Sequence, residues 1–217
     1  MFRRRPLAPM ALALALAAAS ASARAEKETY ALDKNHTEIG FKVRHFVSRV
    51  GGRFTRFEGA LILDRANPPE SSVELKIDAA SIDTGVPNRD RHLNSPDFLD
   101  TAKFPEITFR SAKISAKGPD TYEVEGDLTI RGVTKPVTLA VTSNGFTGDG
   151  RGGLKAGFDV TGRLSRKDFG VKWNAIVDQK EMLSDEVDLA IFVEANRPAP
   201  KPGAPPAPAA TPTAPVR

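Results

Sequence analysis

An alternation of apolar and polar side chains with a period of two residues dominates residues 26–196, and it is the feature that most constrains the fold. Side chains of a β-strand point alternately to its two faces, so each alternating segment is expected to bury one face. Eight strand-length segments show the pattern. Their apolar positions are Ile39, Phe41 and Val43; Phe57, Leu61 and Leu63; Val73, Leu75 and Ile77; Ile107 and Phe109; Val124, Leu128 and Ile130; Val137, Leu139 and Val141; Leu154, Ala156, Phe158 and Val160; and Val187, Leu189, Ile191 and Val193.

Turn-forming residues separate several of these segments, at residues 67–69, 117–120 and 148–153. Strands in series without alternating helices predict an antiparallel all-β domain. Eight strands are enough to close a barrel whose interior holds side chains or one small ligand. A barrel with a cavity and a sandwich with a packed core both fit the pattern.

One stretch departs from the alternation. Residues 87–95 (PNRDRHLNS) predict a short helix, with Asn88 as its N-cap and Pro96 at its end. The helix lies in the long link between the Ile77 and Ile107 segments, where we expect a lid or plug over one end of the barrel.

The helical insertion also carries the polar residues with most functional interest, Arg89, Asp90 and His92. Beside a barrel mouth they can bind the head group of a ligand, whereas on a solvated surface helix they form internal ion pairs. Residues 166–168, next to Phe169 and Trp173, allow the same two interpretations.

Both ends of the chain differ in composition from the domain between them. Three arginines (3–5), an apolar run at 10–19 and Ala23-Arg24-Ala25 predict a secretory signal peptide over 1–25, cleaved after Ala25 and directing the protein to the periplasm. The apolar run is shorter than the roughly 20 residues needed to span a membrane. Residues 197–217 hold 8 of the 17 prolines and predict a disordered tail.

Charge and cysteine content exclude several classes of protein. The formal net charge of +4 comes from the two ends, since residues 26–196 carry 24 basic and 27 acidic side chains. The domain therefore lacks the basic character of a nucleic-acid-binding protein. Absence of cysteine excludes disulfides and thiolate chemistry. Tyr30, Tyr122 and Trp173 are too few for the aromatic girdles of a membrane barrel, so the protein is not expected to be membrane-embedded.

Three short matches to catalytic or metal-binding motifs lack the neighbouring elements that those motifs require. Gly148, Gly150 and Gly153 match the dinucleotide fingerprint in spacing, but a strand rather than a helix follows them. Asp168-Phe169-Gly170 lacks the other kinase motifs. The three histidines do not form a ligand pattern, and we expect no metal and no cofactor.

Several longer strings resemble the YceI-like family of secreted bacterial lipid-binding proteins. They are Tyr30–Asp33 with His36-Thr37, residues 39–45, 52–54 with 57–59, 81–85, 89–98 with 104–109, 126–137 and 166–170. The family usually has Ser where this chain has Thr37. The resemblance implies an extended, eight-stranded, lipocalin-like antiparallel barrel with a short helical insertion, whose tunnel holds a polyisoprenoid, a quinone-type lipid or a fatty-acid-like amphiphile.

The resemblance also implies that the apolar faces of the strands line the tunnel and that the polar residues of the insertion bind the head group of the lipid. The predicted ligand-binding residues are Ile39, Phe41, Val43, Phe57, Leu61, Leu63, Leu75, Ile107, Phe109, Leu128, Ile130, Leu139, Phe158 and Ile191, with Arg89, Asp90 and His92 at the mouth.

These residues predict a periplasmic carrier, store or sensor of a long-chain isoprenoid-like lipid. Two other hypotheses stay open: an enzyme that modifies such a lipid, and a structural or stress-related protein with a filled barrel. The sequence leaves the oligomeric state open, a homodimer included.

Overall fold

In the computed structural model, residues 27–177 and 179–199 are described, and most of them belong to one antiparallel sheet. A single α-helix, α1 (Pro87–Asn94), and three short 3-10 turns (Pro68–Glu70, Ala79–Ser81 and Arg166–Phe169) accompany the strands within these ranges. The strands are β1 (Glu28–Leu32), β2 (Glu38–His45), β3 (Ser48–Phe54), β4 (Phe57–Leu63), β5 (Ser72–Asp78), β6 (Ile82–Asp83), β7 (Glu106–Ala116), β8 (Thr121–Ile130), β9 (Val133–Gly148), β10 (Leu154–Ser165), β11 (Ile176–Val177), β12 (Lys180–Glu181) and β13 (Leu183–Arg197).

The sheet closes into an eight-stranded barrel. Its strands follow the order β1-β4-β5-β7-β8-β9-β10-β13, and β13 pairs back onto β1. All eight segments predicted from the alternation lie within strands, namely β2, β4, β5, β7, β8, β9, β10 and β13. The prediction of an antiparallel barrel is therefore confirmed, and the packed sandwich is excluded.

At two places in the barrel wall, a pair of strands takes the position of one: β1 with β2, and β4 with β3. Strand β13 pairs with β2 over Leu183–Phe192 and with β1 at Ala195 and Asn196. Strand β3 pairs with β2 and leads directly into β4, which pairs with β1. The β2–β3 hairpin therefore extends the wall beyond β1 and β4.

Side-chain hydrogen bonds hold the break between β1 and β2 against β13. The Thr37 hydroxyl donates to the carbonyl oxygen of Glu194 at 3.0 Å and accepts from its N–H at 3.2 Å. The backbone N–H of Asp33 donates to the same carbonyl at 2.8 Å. The Thr37 side chain thus replaces the ladder contacts that the interrupted strand cannot make.

Buried apolar side chains form two clusters along the barrel axis. The smaller cluster, at the β1–β4 end, comprises Tyr30, Leu61, Leu63, Ala156 and Ala195, and Tyr30 is fully buried. The Tyr30 hydroxyl donates to a Glu28 carboxylate oxygen at 2.7 Å, and burial followed by this carboxylate raises the tyrosine pKa to about 12. The larger cluster occupies the rest of the barrel.

Helix α1 forms where expected, but its predicted cap is wrong. Val86 occupies the N-cap position and Pro87 opens the first turn, where its fixed φ and missing N–H cost nothing. Asn88 lies inside the helix. The Asp90 carboxylate instead anchors the preceding loop by accepting hydrogen bonds from the Thr84 N–H and hydroxyl.

The other sequence signals divide between turns and the chain ends. The glycine-rich stretch at 148–153 is the β9–β10 hairpin turn, and Asp168 lies in a 3-10 turn that ends at Gly170 with φ 76°. The predicted signal peptide and nearly all of the predicted tail lie outside the described residues. Among the described helices, none is long and apolar enough to cross a membrane.

Candidate ligand-binding cavity

The larger of two cavities in the barrel occupies the end covered by α1 and has a volume of about 500 Å³. Inward-facing aliphatic and phenylalanine side chains form most of its wall. The rest comes from α1, from Val171 and Trp173 in the segment after Gly170, and from Met182 before β13. This lining is suited to an apolar ligand rather than a charged one.

A smaller cavity of about 180 Å³ lies toward the β1–β4 end. Five residues line both cavities and define a waist between them: Ile39, Leu75, Phe109, Leu139 and Ile191. An elongated ligand that fills both spaces must pass this waist.

Thirteen of the fourteen predicted apolar residues line a cavity. Besides the five waist residues, Phe41, Val43, Ile107, Leu128 and Ile130 line the larger one, and Leu61, Leu63 and Phe158 the smaller one. Phe57 instead lies in the larger packed cluster without lining either cavity, at the start of β4 where the chain crosses over from β3.

Glycines beneath aromatic rings keep the interior open. A Cβ atom on Gly52 would lie 2.5 Å from Cζ of Phe41, and one on Gly126 would lie 2.6 Å from Cζ of Phe109. Both rings therefore lie close against the wall, over a residue without a side chain. Any larger residue at these glycines would push a ring toward the cavity.

The predicted head-group residues are placed at the α1 end of the larger cavity. Arg89 and His92 line it, whereas Asp90 lines neither cavity. The Arg89 guanidinium is already engaged, since Nε donates to the Thr84 hydroxyl at 2.8 Å and Nη2 to the Thr84 carbonyl at 2.9 Å. Arg89 and Asp90 thus both fasten the loop at Thr84.

His92 belongs to an aromatic group over the cavity. Its ring centroid lies 5.0 Å from those of Phe98 and Trp173, and Nε2 lies 3.0 Å from a carboxylate oxygen of Asp97. The alternation could not reveal Trp173 or Phe98 as cavity residues, because both lie outside strands.

Two arginines fasten the loops that cover this end. Arg131 donates from Nη1 to the carbonyl oxygens of Phe98 at 2.8 Å and Gly170 at 3.1 Å, and from Nη2 to Pro96 at 2.8 Å. It thereby joins the segment after α1 to the segment after β10.

Buried Arg166 forms a second anchor. It donates to the carbonyl oxygens of Ser184 (2.9 Å), Val171 (2.9 Å) and Trp173 (2.7 Å) and lies 3.3 Å from Asp185 Oδ1. Burial lowers the pKa of its guanidinium, while Asp185 and then Glu181 act in the opposite direction. The sequence drew attention to Arg166 only through its neighbours and the family resemblance.

One histidine–carboxylate group has ligand-type side chains close together. Oxygen and nitrogen atoms of Asp33, His36 and Glu194 all lie within 4.8 Å of one another. Lys155 already forms an ion pair with Glu194, and Asn196 donates to Asp33 at 2.8 Å. The cluster is therefore an ion-pair and hydrogen-bond network. His45, at the other end of β2, lies apart from this cluster and lines the larger cavity.

The closed antiparallel barrel and the narrowed apolar cavity inside it define the class of protein. It is a β-barrel whose interior can hold one elongated apolar molecule. Residues 30–195 match the YceI-like domain, and the chain belongs to this family. It is 40% identical over 168 residues to protein YceI of Escherichia coli O157:H7, covering 76% of this chain and 85% of that protein.

Solved structures resemble the same part of the chain. Burkholderia cenocepacia BcnA is similar with a TM-score of 0.67 and 26% identity, over 75% of this chain and 98% of that one. A polyisoprenoid binding domain from Saccharophagus degradans shares the fold at a TM-score of 0.56 and 14% identity, over 80% of this chain and all of that one.

Proposed function

We propose that this protein binds one long-chain isoprenoid-like lipid inside its barrel and carries, stores or senses it in the periplasm. The observation that carries the proposal is the pair of apolar cavities that share a waist. A filled barrel would offer no such space, so the cavities favour a binding protein over a purely structural one.

Burial of the lipid tail supplies the affinity. Each Å² of apolar surface removed from water contributes about 25 cal/mol before the costs of binding are subtracted. Strand β10, with 12 residues, spans about 40 Å, or roughly 30 Å along the axis of a tilted barrel. A stretched chain suits this space better than a compact ring system.

The structural neighbour from Saccharophagus degradans, which is a polyisoprenoid binding domain by name, supports an isoprenoid as the tail. The N-terminal signal pattern supports the periplasm. At the mouth, Arg89 and Asp90 are occupied with Thr84, which leaves His92 as the best placed of the predicted head-group residues.

A binding role is favoured over an enzymatic one by the state of the polar groups beside the larger cavity. The guanidinium groups of Arg89 and Arg166 are used to fasten loops, and they face carbonyl oxygens rather than an open reaction space. An enzyme would need an acid–base pair placed to meet the substrate, and of the hydrogen-bonded pair His92 and Asp97 only His92 lines the cavity.

Native mass spectrometry of the protein isolated from its own periplasm tests the proposal, followed by solvent extraction and identification of whatever co-purifies. We expect one long-chain adduct per barrel, returned chemically unchanged after incubation. A bare protein that also takes up no added polyprenyl or quinone-type lipid would overturn the proposal, and a chemically altered lipid would favour the enzyme.

A further inference from the structure

Two hairpins at the α1 end of the barrel present apolar side chains to solvent. Val47, in the β2–β3 turn, is 103% exposed, and Ile176 and Val177 of β11 are 66% and 46% exposed. These are aliphatic side chains without polar atoms, so their exposure is unfavourable for a protein that is surrounded only by water.

Backbone hydrogen bonds place the two hairpins side by side. The Phe46 N–H donates to the Met182 carbonyl at 3.0 Å, and the Met182 N–H donates to the Ala175 carbonyl at 2.9 Å. The chain at Met182 thus lies between the β2–β3 turn and the residue before β11. Since hydrogen-bonded neighbouring strands are about 4.8 Å apart, the backbones of Phe46 and Ala175 lie roughly 10 Å from each other, and each is next in sequence to an exposed apolar residue.

The β2–β3 turn is an unfavourable place for these residues. His45 pairs with Ser48, so Phe46 and Val47 form a two-residue connection, for which Asn-Gly is the favoured sequence. Phe46 has a φ of 49°, in the left-handed region that strains a residue with a bulky side chain. Neither the strained backbone of Phe46 nor the exposed side chain of Val47 therefore stabilises this turn.

The same hairpin is strongly basic. Residues 39–54 contain Lys42, Arg44, Arg49 and Arg53 and no acidic residue, and the acid that lies across the sheet from Lys42 is Asp188 of β13. Phe41 and Val43 face the cavity, so the neighbouring Lys42 and Arg44 point outward. Arg49 forms an ion pair with Asp188, and Arg53 forms one with Asp83. The nitrogen–oxygen distance is 3.4 Å in both pairs.

These hairpins also form one side of the larger cavity. His45 and Val50 of the first hairpin line it, and so do Trp173 and Met182, which flank the second. A surface that covers both tips would therefore lie beside the cavity.

We propose that the two hairpin tips dock the protein onto a lipid bilayer that carries anionic head groups. The apolar tips enter the boundary between head groups and acyl chains, while the basic outer face of the β2–β3 hairpin lies against the anionic head groups. The inference rests on the proposed function in one respect: docking gives a lipid in the bilayer a short path to the cavity.

Vesicle flotation with the purified protein tests docking. Vesicles of phosphatidylethanolamine with phosphatidylglycerol should capture the protein, and vesicles of phosphatidylcholine alone should capture much less. Combining Val47→Ser with Ile176→Ser should weaken capture about tenfold, because the apolar area inserted is lost. Combining Lys42→Gln with Arg44→Gln should also weaken it at least tenfold, because each basic residue near the surface contributes about fivefold.

Phe192→Ser is the matched control, since Phe192 is 51% exposed on β13, away from the tips. It should leave capture within about twofold of the unchanged protein. Equal loss in this control, undiminished capture of the Val47→Ser and Ile176→Ser variant, or absence of capture by anionic vesicles would overturn docking. So would a dimer in solution that the tip variant converts to a monomer.

Uptake of a polyprenyl lipid from detergent separates the two proposals. The tip variant should take up the lipid normally from detergent and fail to acquire it from vesicles. Vesicle capture without uptake in detergent would retain docking and overturn the binding function, whereas uptake without vesicle capture would do the reverse.

Discussion

The two ends of the barrel are closed by different means. At the β1–β4 end, side chains of the wall itself pack together, with Tyr30 and Ala195 fully buried. At the α1 end, loops cover the larger cavity and are fastened by Arg131 and Arg166 through backbone carbonyl oxygens. Opening the first end would break the strand pairing of the wall and its core, whereas opening the second moves loops, which breaks the arginine hydrogen bonds and exposes Phe98 and Val171. We therefore expect ligand to enter at the α1 end.

Of the variants that test how the two ends are closed, Arg166→Ala should have the largest effect on stability. It removes the partner of three carbonyl oxygens and of Asp185, and buried groups left unpaired are costly. We expect the free energy of unfolding to fall by about 3 kcal/mol, as measured by urea denaturation. Lys167→Ala, which removes only partly exposed ion pairs, should cost less than about 1 kcal/mol. Similar losses in the two variants would contradict the anchoring role of Arg166.

Tryptophan substitutions at two phenylalanines should distinguish the larger cavity from the waist. Phe41→Trp narrows the larger cavity and should weaken binding of short and long isoprenoids alike. Phe109→Trp narrows the waist and should weaken the long ligand about tenfold, which is about 1.4 kcal/mol, with little change for the short one. Fluorescence titration measures both, with far-UV circular dichroism as the folding control. Unchanged long-chain affinity in both variants would show that these faces do not hold the ligand.

Thr37→Val should weaken the joint between β1 and β2, on the side that supports the packed end. The valine has nearly the same shape but leaves the Glu194 N–H and carbonyl without their side-chain partner. We expect a loss of about 1 kcal/mol in thermal or urea unfolding. Thr37→Ser keeps the hydroxyl and should retain most of that stability. If the serine variant is as unstable as the valine variant, the hydroxyl is not what holds the joint.

The smallest expected effect is a pH dependence at the same joint. Hydrogen bonds from the Asn35 N–H, Asn196 and His36 lower the pKa of Asp33 from 3.8 to about 2. Because the folded pKa is depressed, this contribution is fully present above about pH 4 and is lost as the pH falls toward about 2. It amounts to about 1 kcal/mol for a partly solvated carboxylate.

Asp33→Asn should therefore reduce the acid sensitivity of unfolding across that range. Urea midpoints measured at several pH values follow the difference, with Asp120→Asn in the exposed β7–β8 turn as the control. An unchanged pH profile in the Asp33 variant would contradict the assignment.

Alternation was sufficient to predict the eight main strands and most cavity residues, because each strand has one face toward the interior. It missed β3, whose sequence SRVGGRF has two adjacent glycines and few apolar positions, and it missed the short strand β1. Gly52 is there to make room for the Phe41 ring, and a close approach between strands leaves no periodic signal.

The cover of the α1 end was harder to predict. Phe98 and Trp173 are brought together from segments about 75 residues apart, and their ring centroids lie 5.1 Å apart. Arg131, which joins those segments, lies in a turn with φ 52°, and nothing in its local sequence indicates carbonyl partners on two distant loops. Such contacts depend on tertiary structure, which a pattern of nearest neighbours does not contain.

Closure of the sheet by β13 has a consequence for how the chain folds. Asp33 and Asn196 are 163 positions apart in sequence and bonded to each other, and β13 also pairs with β2 and β10. Until residues 183–197 are available, the edges of three strands have no partner, and such edges invite association with other chains. High contact order also slows folding, toward the millisecond-to-second range. The incomplete sheet is therefore prone to association with other chains until its final strand pairs.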